Sequence, residues 1–310
     1  REARNLQLQE LTPYGQIIQS VPLVLKSGVV DHIFISNPLA SLWEAVRTCA
    51  KFRIFFKYRL DAHPPSPETP WSLILYSDEV TPGNPLATHN NRKFHAIYWS
   101  FLEFGANALC REETWFCITT ALSTDIVEVS AGLSQVMGAI IKAFFDTGGF
   151  DLGQAGICLP FAPDEIRFFA KLKIVVQDGG ARKSMWHARG DGATKLCLLC
   201  KNLFTDKSNI CDEDGTHLLR SNVIRTEQLE EASSNELRKV ARYIASKVGT
   251  MGVDAFTELQ QSLGVTHHPH AILLDRSLDE IVQPTEILMH DWMHGLFVDG
   301  IANVLVYLLF

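Results

Sequence analysis

Hydrophobic and polar positions change their rhythm several times along this chain, and those changes mark its elements. Behind Pro38, a residue suited to a first helical turn, Leu39, Leu42, Val46, Cys49 and Ala50 recur at helical spacing, so a helix is predicted over 39–56. Residues 1–60 as a whole read as helical and mixed. The Pro-rich stretch Ala62-His-Pro-Pro-Ser-Pro-Glu-Thr-Pro70 breaks the pattern and reads as a connector. After it, Trp71–Ser77 reads as a buried strand ending in Asp78-Glu79, and Thr81-Pro-Gly-Asn-Pro85 as a turn. Lys93–Phe101 and Glu113–Thr120 are aromatic and β-branched and predict two more strands. Val129, Leu133, Val136, Ile140 and Phe144 then fall in helical register over 127–145, with Gly148-Gly149 as a stop.

A fourth strand is predicted over Arg167–Gln177, running into Asp178-Gly-Gly180, and a short helix over Ala181–Arg189. Residues 201–285 are more polar and predicted mostly helical, clearest from Thr226 to Val248, with Glu230, Glu231, Glu236, Arg238, Lys239 and Arg242 on a solvent side. Asp291–Phe310 reads as a final buried helix. The order strand, strand, strand, helix, strand, helix over 71–190 predicts an α/β fold. Its sheet is mixed: an antiparallel meander, a crossover helix and a parallel strand, with flanking helices, in the order of an RNase H-like fold. Four regions follow: a mostly helical N-terminal region over 1–70, an RNase H-like core over 71–200, a helical insertion over 201–285 and a return helix over 286–310.

Composition narrows the functional classes. The 310 residues are 46% hydrophobic and 20% charged, an ordinary globular balance. The formal charge of −7 excludes a basic footprint spread over the whole chain, so any nucleic-acid contact must come from local patches. The odd count of seven irregularly spaced cysteines does not fit a secreted disulfide framework and points to a reducing, intracellular setting. The first residues have no apolar signal-peptide core, and no apolar run reaches membrane-spanning length, Ile301–Phe310 included, so no membrane partner is expected. The missing initial Met and the abrupt apolar end lead to the expectation of a fragment.

Candidate chemistry lies in four short motifs. Asp78 and Asp178 each follow a predicted strand. Two carboxylates at adjacent strand ends can hold a pair of divalent cations about 3.5–4 Å apart, and their hard oxygens suit Mg²⁺ or Mn²⁺. Taken singly, each also reads as a strand-terminal turn residue. Glu79 should point to the face opposite Asp78. Cys197-Leu-Leu-Cys200 has zinc-knuckle spacing, and Asp291-Trp-Met-His294 offers two further ligands one helical turn apart. His290, Cys211, His187 and His217 compete for those places, and two buried packing cysteines are the alternative. His267-His-Pro-His270 looks like a metal cluster but reads as a solvated turn. Arg182, Lys183, His187, Arg189 and Lys195 form the most basic stretch and are candidates for phosphate contacts, or for a solvated helix face. Trp186 and Trp292 read as core.

Taken in order, Ser77-Asp78, Gln177-Asp178, Cys197-x-x-Cys200 and Asp291-Trp-Met-His294-Gly, with Gly300 behind, resemble the DDE transposases of eukaryotic cut-and-paste elements. The likeness is to the CACTA and Plavaka (KDZ-like) group in particular, and it covers about residues 70–200 and 285–310. It implies an RNase H-like core interrupted by a helical insertion. It implies Asp78 and Asp178 as metal-binding acids for a Mg²⁺ or Mn²⁺ pair. It also implies Cys197, Cys200, Asp291 and His294 as a structural Zn²⁺ site. The activity implied is DNA strand cleavage and strand transfer on transposon ends and target DNA, in the nucleus, with room for a homo-oligomer. The family's third acid is a Glu beyond the D-x-x-H motif. No Glu follows Glu286 here, and Asp299 is a poor substitute. A non-catalytic, zinc-stabilised DNA- or protein-binding module derived from a transposase is therefore the second reading, and a non-transposing nuclease of the same fold a weaker third.

Overall fold

The computed structural model describes residues 11–82, 92–146, 149–161, 165–208, 210–211, 218–223 and 225–290. It is a mixed α/β chain that divides into two compact units. The first comprises Arg1–Val129 with Val136–Gln177, and the second Ser130–Gln135 with Asp178–Phe310.

In the first unit, a hairpin of β1 (Ile18–Val24) and β2 (Val30–Ser36) precedes two helices, α1 (Pro38–Thr48) and α2 (Ala50–Ala62). The expectation of a mostly helical N-terminal region holds for 38–62 and is corrected for 18–36. There, residues such as Ile18, Val21, Val30 and Ile33 favour extended backbone, and Gly28 turns the hairpin at φ +83°. Asn37 caps α1, its side-chain oxygen accepting from the amides of Leu39 and Ala40, and Pro38 occupies the first turn. The single helix expected over 39–56 is two, broken at Cys49, which is extended at φ −98°, ψ 97°. Leu39, Leu42 and Val46 are buried as predicted, whereas Cys49 and Ala50 are exposed.

Three antiparallel strands follow: β3 (Trp71–Val80), β4 (Phe94–Phe101) and β5 (Phe116–Leu122). After α3 (Gly132–Phe145), β6 (Ala170–Gln177) returns parallel to β3, so the strands of this unit lie in the order β6-β3-β4-β5. The predicted fourth strand is in fact two, Ile166–Phe168 and β6. One face of β3 carries Trp71, Leu73, Leu75 and Ser77, each at most 2% exposed. Phe56 of α2, fully buried, meets Trp71 at 5.3 Å, Phe168 at 5.4 Å and Phe104 at 5.8 Å between ring centroids. Phe144 of α3 stands edge-on to Trp99 of β4 at 5.3 Å. Edge-to-face aromatic packing of this kind is the core of the unit.

In the second unit, α4 (Gly179–Trp186), α5 (Ser234–Ser246) and α6 (Val253–Leu263) are joined by irregular chain and short turns. The helix expected from Thr226 begins eight residues later, at Ser234. A capping box sets that start: Ser233 accepts from the amide of Glu236, whose carboxylate accepts from the amide of Ser233. Arg238 and Arg242 do not lie on a solvent side. Arg238 is buried and donates to the carbonyls of Asp279 and Val282, and Arg242 donates to both carboxylate oxygens of Asp279 at 2.7 and 2.6 Å. Ahead of α5, the described residues of 201–232 are largely irregular rather than helical. The predicted helix over 291–310 lies outside the described residues. Among the described residues, no helix is long and apolar enough to cross a membrane.

Candidate functional site

Asp78 lies within β3, opposite Ala96 of β4, because the strand continues to Val80 rather than ending at the acid. It is half-buried, and its Oδ2 accepts from the Tyr76 hydroxyl at 3.2 Å, two residues back on the same face. Glu79 projects to the other face, as alternation requires, and is already engaged there. It accepts from Ser123 Oγ at 2.7 Å and Lys93 Nζ at 3.1 Å. Partial burial raises the affinity of its carboxyl for a proton. The Ser123 and Lys93 bonds, with the charges of Lys93 and His95, outweigh this and hold it below the usual glutamate value.

Asp178 follows the last residue of β6 and is the N-cap of α4: its Oδ1 accepts from the amide of Ala181 at 2.5 Å. One carboxylate oxygen therefore satisfies a helix-end donor. The parallel register pairs Ser77 with Gln177, the residues immediately before the two aspartates. Both are buried, at 0% and 2% exposure, and Ser77 Oγ and Gln177 Nε2 have no hydrogen-bond partner among the described residues. Neither was singled out from the sequence, although strand alternation places both on the buried face. Buried polar atoms without partners are uncommon and costly, by about 1–3 kcal/mol each.

Cys197 and Cys200 come together. The segments around them form a small ribbon, with Thr205 N donating to Thr194 O at 2.8 Å and Lys195 bridged to Phe204. On the other side of the turn, Cys200 is bridged to Glu231, and the amides of Lys201 and Ala232 donate to the carbonyls of Glu230 and Leu199 at 2.7 and 2.9 Å. Asn202 fastens the same segment, donating to Gln228 O at 2.9 Å and accepting from Glu230 N at 3.0 Å. The two thiols are free and hydrogen-bonded to each other. Burial and the adjacent Cys197 push the Cys200 thiol up to about 11. A bound cation would reverse that balance, and two neighbouring sulfurs fit half of a tetrahedral zinc set. The other two proposed ligands, Asp291 and His294, lie outside the described residues. Among the described residues, no group of three His, Cys, Asp or Glu side chains is placed to hold a metal ion.

The basic stretch is not a simple solvated face. Arg182 and Lys183 are half-buried on α4, and Lys183 packs its stem against Gly190. Arg189 is half-buried, with Nε unpartnered among the described residues, and its amide donates to Gly264 O at 3.0 Å. Lys195 is half-buried too. Desolvation lowers the pKa of its ammonium group, against the opposing pull of Cys197, Cys200 and Glu236. Trp186 is core, at 2% exposure, as predicted. The solvated turn expected over 267–270 holds for the exposed Pro269 and His270, whereas His267 and His268 are half-buried: the rings of His187 and His268 stack at 4.0 Å, and the amide of His267 donates to Gln260 Oε1 at 2.7 Å. No family model matches this chain, and no curated protein matches it.

Proposed function

We propose that this chain is an RNase H-like catalytic core of the DDE transposase type, acting on DNA by metal-dependent strand cleavage and strand transfer. The observation that supports it most is topological. Three antiparallel strands and a helix lead to a strand parallel to the first, and each member of the register pair Ser77–Gln177 is followed in sequence by an aspartate. Asp78 and Asp178 are the proposed ligands of Mg²⁺ or Mn²⁺, a metal pair that in such sites activates the attacking oxygen and stabilises the leaving one. Tyr76 orients the Asp78 carboxylate, and the helix cap orients that of Asp178. Cys197 and Cys200 are proposed as half of a structural Zn²⁺ site completed by Asp291 and His294. DNA is the proposed partner, with Arg182, Lys183, Arg189 and Lys195 as its phosphate contacts and the nucleus as its compartment.

A second reading, a zinc-stabilised DNA- or protein-binding module without catalysis, is favoured by a separate observation: Asp178 already spends one oxygen on its helix cap. Mn²⁺ titration followed by amide NMR separates the two. In the catalytic reading, substoichiometric Mn²⁺ broadens the amides of 77–80 and 177–181, and either Asp78→Asn or Asp178→Asn removes the effect. Asn caps a helix as well as Asp, so Asp178→Asn leaves α4 intact. Unbroadened amides at millimolar Mn²⁺ overturn the catalytic reading.

A further inference from the structure

His187 is the one described non-glycine residue with positive φ, at φ 49°, ψ 34°, where it ends α4 in the left-handed conformation. That position usually selects glycine or asparagine, so a histidine there calls for a compensating role of its ring. The ring hydrogen-bonds to the backbone carbonyl of Ala131, while Nε2 is buried without a partner among the described residues; Nδ1–H is therefore the donor. Its face stacks on His268 at 4.0 Å and 23°. The backbone closes the same seam: Thr266 N donates to His187 O at 2.9 Å, Arg189 N to Gly264 O at 3.0 Å, and Ala188 is bridged to Val265.

We propose that His187 is a proton-operated latch, holding the loop Val265–Leu274 against the end of α4 near neutral pH and releasing it on acidification. A second proton would have to enter at Nε2, which faces no acceptor among the described residues and lies against a second imidazole. Among the described residues, no carboxylate lines this enclosure. The loop contributes His267 and His268, α5 contributes the uncharged Ala241 and Ile244, segment 130–135 contributes the Ala131 carbonyl, and the charged neighbours in sequence, Lys183 and Arg189, are cations. Desolvation first, then the like charge of His268, opposes protonation and lowers the His187 pKa from 6.5 to about 4 in the latched state.

The sign follows from linkage. The released state binds the proton more tightly than the latched one, so the latch is at full strength above 6.5 and weakens as pH falls toward about 4. Over that interval the opening constant rises about tenfold per pH unit.

Amide hydrogen exchange at Thr266 and Arg189, corrected for the intrinsic pH dependence of exchange, tests it in the intact chain. Protection should fall at least tenfold between pH 6.5 and 5 in the wild type, and less than twofold in His187→Asn, which tolerates the left-handed backbone and does not titrate. His268→Phe keeps a stacked ring but removes the like charge, which narrows the gap between the latched and released pKa values, so the release midpoint should move to lower pH. Equal loss of protection in wild type and His187→Asn overturns the latch. So does a release midpoint unmoved in His268→Phe, should the asparagine variant not fold.

Discussion

The two units solve the same problem with different materials. The first buries faces of strand and helix on one another: Phe56, Trp71, Leu73, Leu75, Trp99 and Phe101 are at most 1–2% exposed, and their rings meet edge to face. The second also buries apolar side chains, Leu237, Ile244 and Leu278 among them, but its irregular chain is cross-linked by polar groups. Arg238 and Arg242 gather Asp279 and neighbouring carbonyls, Asn202 fastens 228–230, and Ser134 Oγ accepts from Ile272 N at 3.0 Å. Apolar packing depends on area and tolerates changes of chemistry, whereas a polar cross-link fails as soon as one partner is lost, because the other is left buried and unsatisfied. Asp78 belongs to the first kind of structure, and Asp178 and the two cysteines to the second.

The sharpest way to break this contrast is Phe56→Ala. It should cost about 3–5 kcal/mol in chemical denaturation, with exchange protection lost in the first unit and retained in α5. Protection lost equally in both would show that they do not unfold separately. Next comes thiol chemistry. With Cys200 pushed up to about 11, its alkylation at pH 8 should be about a hundredfold slower than that of an ordinary thiol, and faster as pH rises. Mass-resolved labelling measures this, and a rapidly labelled Cys200 would contradict the half-buried, raised thiol. If the pair is half of a zinc site, one equivalent of Zn²⁺ should raise Tm, and Cys200→Ser should abolish the rise.

Asp279→Ala strips Arg238 and Arg242 of their shared acid. The acid is partly solvated, its side chain 28% exposed, so a loss of about 2 kcal/mol is expected, confined to the second unit. Smallest is Ser233→Ala, which removes one side of the capping box and should cost about 1 kcal/mol, read as fraying of the first turn of α5.

Much of the first unit was legible in the chain. Trp71–Ser77, Lys93–Phe101 and the Leu133/Val136/Ile140/Phe144 stripe announce β3, β4 and α3 because burial on one face imposes a period that local sequence carries. The Ser-x-x-Glu at Ser233–Glu236 was a signal for the start of α5 that the helical pattern from Thr226 obscured. The β1–β2 hairpin was not legible, because its outer positions are exposed and carry no clean alternation. Val30 and Phe34 are 54% and 67% exposed.

By itself, the sequence determined the residue types available for chemistry, their order and the strand–strand–strand–helix–strand succession, since these depend on neighbours a few positions away. Only the tertiary structure decided which of those residues are already committed. Glu79 is bonded to Ser123 and Lys93, Asp178 caps a helix, and Arg238 is buried on carbonyls from forty residues downstream. His187 is stacked on a ring eighty-one positions away. The physical reason is that hydrogen bonding and desolvation are set by the groups that surround a side chain in space, and the chain's local pattern does not encode which distant segment those groups come from.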